Sequence, residues 1–543
     1  MFPENLWSAQ PVHARHGMVV SGDSFATDTG LAVLNAGGNA IDAATAMAFT
    51  LGVTHPAMTG LGGGGHVLIR MSDGRTAFLD FREQAPGKAT RDMFVDARGN
   101  LSPDAVSGWR AAAVPGYVKG WETAHRKFGR KPWKELLGPA ISLAQQGHTV
   151  SWLYAKVFRD AQNLAHDPES RRIFQHDGHY LEPGDKLAEP DLARTLERIA
   201  AGGANEFYEG ETANRFAAAA AAHGSLISLA DLKSYTVAET QPLSGAYRGY
   251  DILTAAGSSS GGVGLLQMLG VLEGTGFEKY GPGSAGAIHF MAEAMRRYFA
   301  DRSETIGDPA FVHVPYDKLL SKEHMDELRA SIDPGRATPS DQVRPGKFES
   351  REGGDTTHFA VLDADGNAVA ATVTLNSVFG SGVTVPGLGF LLNNNMDNFA
   401  ANPGKTNHYG LIQGEANAIQ PGKRPVSSMT PTILLKHGKL FMIVGTPGGP
   451  TILNSVMQAI VNVIDFHMNA QDAVNAPRVH HQWYPDKLFL EPGFSPDTIA
   501  ILKQRGHEIE FRLSNNDVNM ILMDADWIQG AVDSRREGKA AGY

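Results

Sequence analysis

The sequence predicts a protein of the α+β class in which helices and strands share one core. Residues 110–230 have mostly helical patterns, whereas the strand signal rises after Thr356. No repeat and no low-complexity linker marks a domain boundary near residue 355. The chain has 543 residues, of which 42% are hydrophobic, and this content suits a large, core-forming protein. We therefore expect the two parts of the chain to fold together.

The N-terminal region opens with an apolar, strand-like run at residues 17–21. A helical pattern follows, with apolar residues between Leu31 and Met47 at three- and four-residue spacing. Because Gly37-Gly38 interrupts this pattern, we expect two helices rather than one.

Four consecutive glycines at 62–65 precede a predicted strand at 67–70. A phosphate-binding loop would need a lysine and a Ser or Thr after its glycines, but His66 and Val67 stand there. We therefore interpret the glycines as a tight backbone turn beside a core strand. A second strand is predicted at 76–81, after the turn at Asp73-Gly74.

Further along the chain, composition and flanking residues indicate helices. They are expected at 217–222, from residue 258 onward, at 284–300, near 450–465 and at 496–505. An apolar run at 359–362, a turn at 363–367 and a Val- and Thr-rich run at 368–375 predict a hairpin.

Composition excludes several classes of function. The net charge of −10 provides no electrostatic footprint for nucleic acid or an anionic membrane. The absence of cysteine excludes disulfides, thiolate metal sites and a cysteine nucleophile. His480 and His481 are adjacent, so on a strand they point to opposite faces and do not share a metal ion. We expect neither a metal nor a cofactor.

The N-terminus does not have the pattern of a secretory signal, and no apolar run is long enough to span a bilayer. We expect a cytoplasmic protein if the chain is complete, and a periplasmic one if a leader was removed.

Three short motifs have both a catalytic and a structural interpretation. Adjacent glycine amides in Thr446-Pro-Gly-Gly could stabilise an oxyanion, or form an ordinary turn between a strand at 440–444 and a helix. The hydroxyls of Ser427-Ser428 could hold a carboxylate, or bond to local backbone. Arg82 could clamp a carboxylate, or pair with Asp80 or Glu83.

Taken together and in this order, the motifs resemble those of the γ-glutamyltranspeptidase family, and the likeness covers nearly the whole chain. The segments that carry it are Gly38-Gly-Asn-Ala-Ile-Asp-Ala-Ala, Gly60-Leu-Gly-Gly-Gly-Gly, Leu79-Asp-Phe-Arg-Glu-Gln-Ala-Pro, Asp301-Arg-Ser-Glu, Gly353-Gly-Asp-Thr-Thr-His, Leu391-Leu-Asn-Asn-Asn-Met-Asp-Asn, Asn475-Ala-Pro-Arg-Val-His-His-Gln-Trp and the terminal Ala-Gly-Tyr.

The resemblance implies a four-layer αββα fold of the N-terminal nucleophile hydrolase type. It also implies that the peptide bond between Asp355 and Thr356 is cleaved, so that segments 1–355 and 356–543 remain together as a heterodimer. The chemistry supports such a cut, because a hydroxyl needs a base beside it to act as a nucleophile. The α-amino group of an N-terminal threonine, with a pKa of about 7.7–8.0, is such a base, whereas an amide nitrogen is not.

The resemblance also implies roles for individual residues. Thr356 would be the nucleophile and Thr374 would orient it, while Gly448 and Gly449 would bind the oxyanion. The substrate's α-carboxylate would contact Arg82, Ser427 and Ser428, and its α-ammonium would contact Asn376, Asn395 and Asn398. Tyr409 belongs to a segment, 402–410, that resembles a loop covering the pocket in many bacterial members. The expected reaction transfers the γ-glutamyl group of a glutathione-like amide to water or to the amine of an amino acid or peptide.

Two positions depart from the family pattern. Asn398 stands where an acidic residue is usual, so an α-ammonium would lose a charge-assisted bond, which is about twice as strong as a neutral one. This favours an alternative activity on glutaryl amides, as in the related cephalosporin acylases. Pro450 and Thr451 replace a common Ser-Arg pair. An alternative of another class is an unprocessed, inactive homologue that binds a ligand.

Overall fold

The computed structural model describes residues 8–343, 355–402, 412–513 and 516–543, except that the side chain of Asp355 is not described. The predicted Tyr409 contact lies outside these residues. In the described part of the chain, no helix is both long and apolar enough to cross a membrane.

The described strands are β1 Val12–Ala14, β2 Met18–Ser21, β3 Gly64–Arg70, β4 Thr76–Asp80, β5 His148–Thr149, β6 Gln175–His176, β7 His179–Tyr180, β8 Lys186–Leu187, β9 Ala238–Thr240, β10 Leu243–Tyr247, β11 Tyr250–Thr254, β12 Asp355–Leu362, β13 Ala368–Asn376, β14 Thr432–Lys436, β15 Lys439–Gly445, β16 Val479–His480, β17 Leu488–Leu490, β18 Ile509–Phe511, β19 Asn519–Asp524, β20 Trp527–Val532 and β21 Lys539–Gly542.

The described α-helices are α1 Ser24–Asn35, α2 Ala40–Thr54, α3 Tyr117–Phe128, α4 Trp133–Gln146, α5 Trp152–Asp160, α6 Pro168–Phe174, α7 Pro190–Gly202, α8 Ala204–Tyr208, α9 Glu211–Ala222, α10 Leu229–Ser234, α11 Gly261–Leu272, α12 Ala285–Thr305, α13 Tyr316–Leu319, α14 Lys322–Ala330, α15 Ser340–Val343, α16 Thr451–Ile464, α17 Ala470–Asn475 and α18 Pro496–Gln504.

Two large sheets, each with seven described strands, form the centre of the molecule. The first has the order β21-β2-β12-β13-β3-β4-β9, and the second has the order β1-β20-β19-β15-β14-β11-β10. Each sheet contains strands from both sides of residue 355. The expectation that the two parts of the chain share one core is therefore confirmed.

The side chains of the central strands are buried on both faces, which explains why these strands are apolar throughout. In β2, Met18 and Val20 belong to a cluster between the two sheets, whereas Val19 belongs to the cluster formed with α2, α3 and α4. This alternation follows from the two-residue period of a strand. On the second sheet, Leu434 and Met442 pack with α11, α12 and α16. The layers therefore follow the order helix, sheet, sheet, helix.

The predicted elements are confirmed. Asn39 caps α2 through its side chain and Gly37 has a positive φ, so the Gly37-Gly38 pair separates two helices. The hairpin of β12 and β13 pairs in antiparallel register from Asp355 to Leu362. The predicted helices correspond to α9, α11, α12, α16 and α18.

Candidate active site

Thr356 lies at an irregularity in the pairing of β12 with β13. Asp355 pairs with Asn376 and Thr357 pairs with Val373, so two residues of β13 face the single residue Thr356. A bulge of this kind re-aims a side chain next to a site. Thr356 is 6% exposed and lines a cleft at the end of the hairpin.

Thr374 is the nearest polar partner of Thr356. The hydroxyl of Thr356 donates to Oγ1 of Thr374 over 3.4 Å, and the backbone N–H of Asn376 donates to the same oxygen over 2.7 Å. Asn376 has a φ of +86°, in the left-handed region, and this conformation turns the chain at the end of β13. The predicted pairing of Thr356 with Thr374 is thus present in the structure.

The glycine run at 62–65 packs closely against the backbone of this region. A Cβ at Gly62 would lie 2.0 Å from the carbonyl oxygen of Leu391, and one at Gly63 would lie 2.2 Å from that of Thr374. Only glycine permits such a close approach of backbones. The carbonyl of Gly62 also accepts a hydrogen bond from Nδ2 of Asn393 over 2.8 Å. The interpretation of the run as a structural turn agrees with these contacts.

The lining of the cleft includes two arginines and two serines. The lining residues are Arg82, Arg302, Thr356, Thr374, Asn376, Asn398, Gln413, Val426, Ser427, Ser428, Met429, Gly449, Pro450 and Ile452. Arg82 and Arg302 are almost fully buried, and Ser427 and Ser428 are 6% and 7% exposed. Guanidinium groups and hydroxyls are suitable partners for a carboxylate, so carboxylate binding in this cleft stays a prediction.

Arg82 is held both by its backbone and by its side chain. Its backbone N–H donates to Oδ1 of Asp80 over 3.0 Å, and its guanidinium contacts the carboxylate of Glu83 at 3.1 Å. Burial raises the pKa of Glu83 to about 7, although Arg82 partly opposes the shift. The cleft and the expected ion pair with Glu83 therefore share the same arginine.

Three asparagines form a hydrogen-bonded cluster beside the cleft. Nδ2 of Asn398 donates to Oδ1 of Asn376 and to Oδ1 of Asn395, each over 2.7 Å. Asn376 and Asn398 line the cleft, whereas Asn395 is fully buried behind them. The backbone carbonyl of Asn398 accepts from Nδ2 of Asn417 over 2.7 Å. The cluster carries no formal charge.

Gly448 and Gly449 form the turn between β15 and α16, with φ values of +127° and +55°. Within the described residues, neither amide N–H donates a hydrogen bond, so both are available to a bound group. Gly449 lines the cleft with Thr356, and Gly448 precedes it outside the lining. The role of the pair as an oxyanion site stays a prediction.

Sequence reasoning missed three residues that shape the site. Arg302 lines the cleft and donates from Nε to Oγ of Ser260 over 3.0 Å, and Gln413 lines the cleft beside it. Asn516 contacts the Gly448-Gly449 turn through Pro447 and Thr451. The motif Asp301-Arg-Ser-Glu was a signal for Arg302, but no local pattern identified the other two.

The adjacent histidines have separate structural partners. Nδ1 of His480 contacts the amide of Asn454 at 2.7 Å, and Nε2 of His481 contacts Arg296 at 2.9 Å. A different group, His289, Glu293 and His507, brings its donor atoms within 4.8 Å of one another. Because the carboxylate of Glu293 contacts both Arg296 and Arg297, these cations would oppose a metal ion there.

Comparison with known proteins agrees with this geometry. The family model described as gamma-glutamyltranspeptidase matches residues 26–543. A glutathione hydrolase proenzyme from Escherichia coli (strain K12) is 44% identical over 98% of this chain and 93% of its own length. An "Acylase ACY 1 proenzyme" from Pseudomonas sp. (strain V22) is 40% identical over 92% of this chain and 88% of its own.

The fold has a solved counterpart. The crystal structure of a cephalosporin acylase from Bacillus halodurans matches with a TM-score of 0.89 and 29% sequence identity, and the match covers 100% of this chain and 99% of that one. The predicted α+β fold of four αββα layers is confirmed. Because the family model spans more than half of the sequence, the chain belongs to the γ-glutamyltranspeptidase family of enzymes.

Proposed function

We propose that the chain is an autoprocessing amidase that cleaves γ-glutamyl amides through Thr356. The observation that carries the proposal is the cleft whose lining combines Thr356 with Arg82, Ser427, Ser428 and Gly449. A γ-glutamyl group has an α-carboxylate for the arginine and the serines, and a γ-carbonyl for the hydroxyl of Thr356. The name glutathione hydrolase proenzyme of the E. coli relative supports both the donor class and a processed chain.

The reaction follows from the groups present. After cleavage of the Asp355–Thr356 bond, the α-amine of Thr356 takes the hydroxyl proton while the oxygen attacks the γ-carbonyl carbon. The amides of Gly448 and Gly449 stabilise the resulting oxyanion. The tetrahedral intermediate then expels the amine, which receives the proton from the α-ammonium of Thr356, and a γ-acyl ester remains on the threonine oxygen.

The ester is resolved by water or by an acceptor amine of an amino acid or peptide. Water gives free glutamate, and an amine gives a new γ-glutamyl amide. Thr374 orients the threonine oxygen throughout, since its hydroxyl is fixed by the backbone N–H of Asn376. The segments 1–355 and 356–543 stay together because both sheets contain strands from each.

Processing is tested by N-terminal sequencing and intact mass of the purified protein. We expect two polypeptides, with a new N-terminus at Thr356, and we expect Thr356→Ala to remain one chain without amidase activity. Thr357→Val is the matched control, because the buried Oγ1 of Thr357 has no hydrogen-bond partner among the described residues and valine has the same shape. Active enzyme that consists of one continuous chain would contradict the proposal.

A second candidate substrate class is supported by Asn398. The side chains of Asn376, Asn395 and Asn398 are uncharged amides, so the cluster gives an α-ammonium no ionic partner. A glutaryl amide has the terminal carboxylate but no α-amine, so its binding would not be weakened by the missing ionic partner. The cephalosporin acylase with the same fold supports this alternative.

Comparison of γ-glutamyl-p-nitroanilide with glutaryl-p-nitroanilide separates the two substrate classes. A higher kcat/KM for the first supports the γ-glutamyl activity, because the remaining amide oxygens then suffice for the ammonium. A higher value for the second supports the acylase.

A further inference from the structure

The loop that carries Gly448 and Gly449 is held by a neighbouring segment at Asn516 and Asp517. We infer that Asn516 and Thr451 form a clamp that positions the glycine amides for the oxyanion. This inference rests on the proposed function, since it assigns the clamp to the same reaction. Neither residue belongs to the catalytic or substrate-binding set predicted from the sequence.

The clamp is made by short hydrogen bonds between fully or largely buried groups. Nδ2 of Asn516 donates to the carbonyl oxygen of Pro447 over 2.6 Å. The hydroxyl of Thr451 lies 2.7 Å from Oδ1 of Asn516 and 2.7 Å from the carbonyl oxygen of Gly448, so its single hydrogen is shared between two acceptors. One asparagine side chain therefore joins the residues on both sides of the glycine pair.

A second contact fixes the start of the loop. The backbone N–H of Asp517 donates to Oγ1 of Thr446 over 3.0 Å, and this hydroxyl donates to the carbonyl of Pro447 over 2.9 Å. The carbonyl of Pro447 belongs to the same peptide group as the N–H of Gly448. Fixing that carbonyl therefore fixes the direction of the Gly448 N–H.

The glycines need such support because a glycine residue does not by itself fix its backbone conformation. Both have positive φ, and glycine populates positive and negative φ about equally. The clamp fits closely around them, since a Cβ at Gly448 would lie 2.5 Å from Nδ2 of Asn516 and 2.6 Å from Oγ1 of Thr451. Without the clamp, the amides would sample orientations that do not face the oxyanion.

The expected effect is on the transition state rather than on substrate binding. Oxyanion donors act on charge that develops during the reaction, and loss of one donor costs a factor of about 10²–10³ in kcat. A misaligned donor provides only part of this increase in kcat. We therefore expect Asn516→Ala and Thr451→Val to lower kcat by about tenfold or more, with KM changed by less than about twofold.

The test uses the full-length processed enzyme, with rates normalised to the fraction cleaved at Thr356. Thr451→Ser keeps the hydroxyl and should restore most of kcat, whereas Thr451→Val keeps the shape without it. Asn462→Ala is the matched control, because Asn462 lies on the same helix, α16, and its amide contacts Ala473, outside the loop. Affinity for a boronate that forms a tetrahedral adduct on Thr356 should fall in parallel with kcat, while affinity for glutamate or glutarate stays constant.

The possible failures can be told apart. If the wild-type enzyme hydrolyses neither anilide, the proposed function fails and the clamp fails with it. If the wild type is active and Thr451→Val keeps its kcat and boronate affinity, the clamp alone is wrong. A rise in KM, or a fall in glutamate affinity, as large as the fall in kcat would also overturn the clamp, because that pattern indicates general disruption of the cleft. Thr451→Val decides the matter even if Asn516→Ala does not fold.

Discussion

The amide nitrogen of Asn398 makes two hydrogen bonds that a carboxylate at this position could not make. It donates to the side-chain oxygens of both Asn376 and Asn395, so a substrate ammonium would have to share these acceptors with Asn398. A carboxylate would leave both oxygens to find other donors, and it would add a negative charge to the cleft. We therefore expect the residue at position 398 to influence whether the cleft prefers a cationic or a neutral group.

We predict that Asn398→Asp raises the ratio of γ-glutamyl to glutaryl hydrolysis by about fivefold or more, because a charge-assisted bond exceeds a neutral one by about 1 kcal/mol or more. The measurement is kcat/KM for the two p-nitroanilides. Asn214→Asp, at an exposed position on α9, provides the same chemical change far from the cleft and should leave the ratio unchanged. An unchanged ratio in Asn398→Asp would contradict the assigned position of the ammonium.

The sequence predicted the residues of the site that belong to local motifs. Thr356, Arg82 and Ser427 were predicted as site residues, and all three line the cleft. Gln413 and Asn516 escaped prediction because their roles depend on contacts across the fold, such as the 65 positions that separate Asn516 from Thr451. The shared role of Arg82, which contacts both Glu83 and the cleft, likewise needed the geometry.

At the level of elements, the glycine run at 62–65 links the hairpin that carries Thr356 to the asparagine cluster. Gly64 and Gly65 belong to β3, which pairs with β13, while Gly62 bridges to Leu392 just before the cluster. Sequence reasoning predicted the turn and the strand after it. It could not identify Leu391 and Thr374 as the backbones that approach, because these contacts join segments more than 300 residues apart.

We predict that Gly62→Ala destabilises the protein by about 1–3 kcal/mol, because a Cβ would collide with the carbonyl oxygen of Leu391. Gly138→Ala is the comparison: Gly138 lies within α4 and an added Cβ meets nothing within 4 Å. There alanine should stabilise by about 0.5–1 kcal/mol. Urea unfolding measures both effects, and equal shifts of the two midpoints would show that close backbone approach is not the cause.

At the scale of the whole molecule, burial sets the pH range in which the fold is stable. Several acids are buried and their pKa values are raised by desolvation, to about 6 for Asp23, about 7 for Glu83 and Asp517, and about 8 for Glu189. Desolvation lowers the pKa values of buried histidines, to about 3 for His55, His358, His480 and His507 and to about 4 for His481.

The two groups limit stability from opposite sides. The histidines bind fewer protons when folded than when unfolded, so their contribution is lost as pH falls below about 6.5. The acids bind more protons when folded, so their contribution is present at low pH and is lost as pH rises toward 8. We predict a maximum of the free energy of unfolding near pH 6, measured by urea unfolding between pH 4 and 9. A steady rise in stability from pH 6.5 to 8 would contradict this prediction.

A variant of Glu189 tests the loss of stability at alkaline pH separately. The residue is 3% exposed and its Oε1 has no hydrogen-bond partner in the part of the chain that the structure describes, so desolvation raises its pKa to about 8. Glu189→Gln keeps the shape and removes the charge. Its free energy of unfolding relative to the parent should therefore increase by about 1.4 kcal/mol for each pH unit between pH 5 and 8. Urea midpoints in the Thr356→Ala chain measure this change without dissociation of segments, and Glu197→Gln on the exposed face of α7 is the control. A difference that is the same at pH 5 and at pH 8 would mean that Glu189 does not carry a proton in the folded state, and burial would then not explain the alkaline loss of stability.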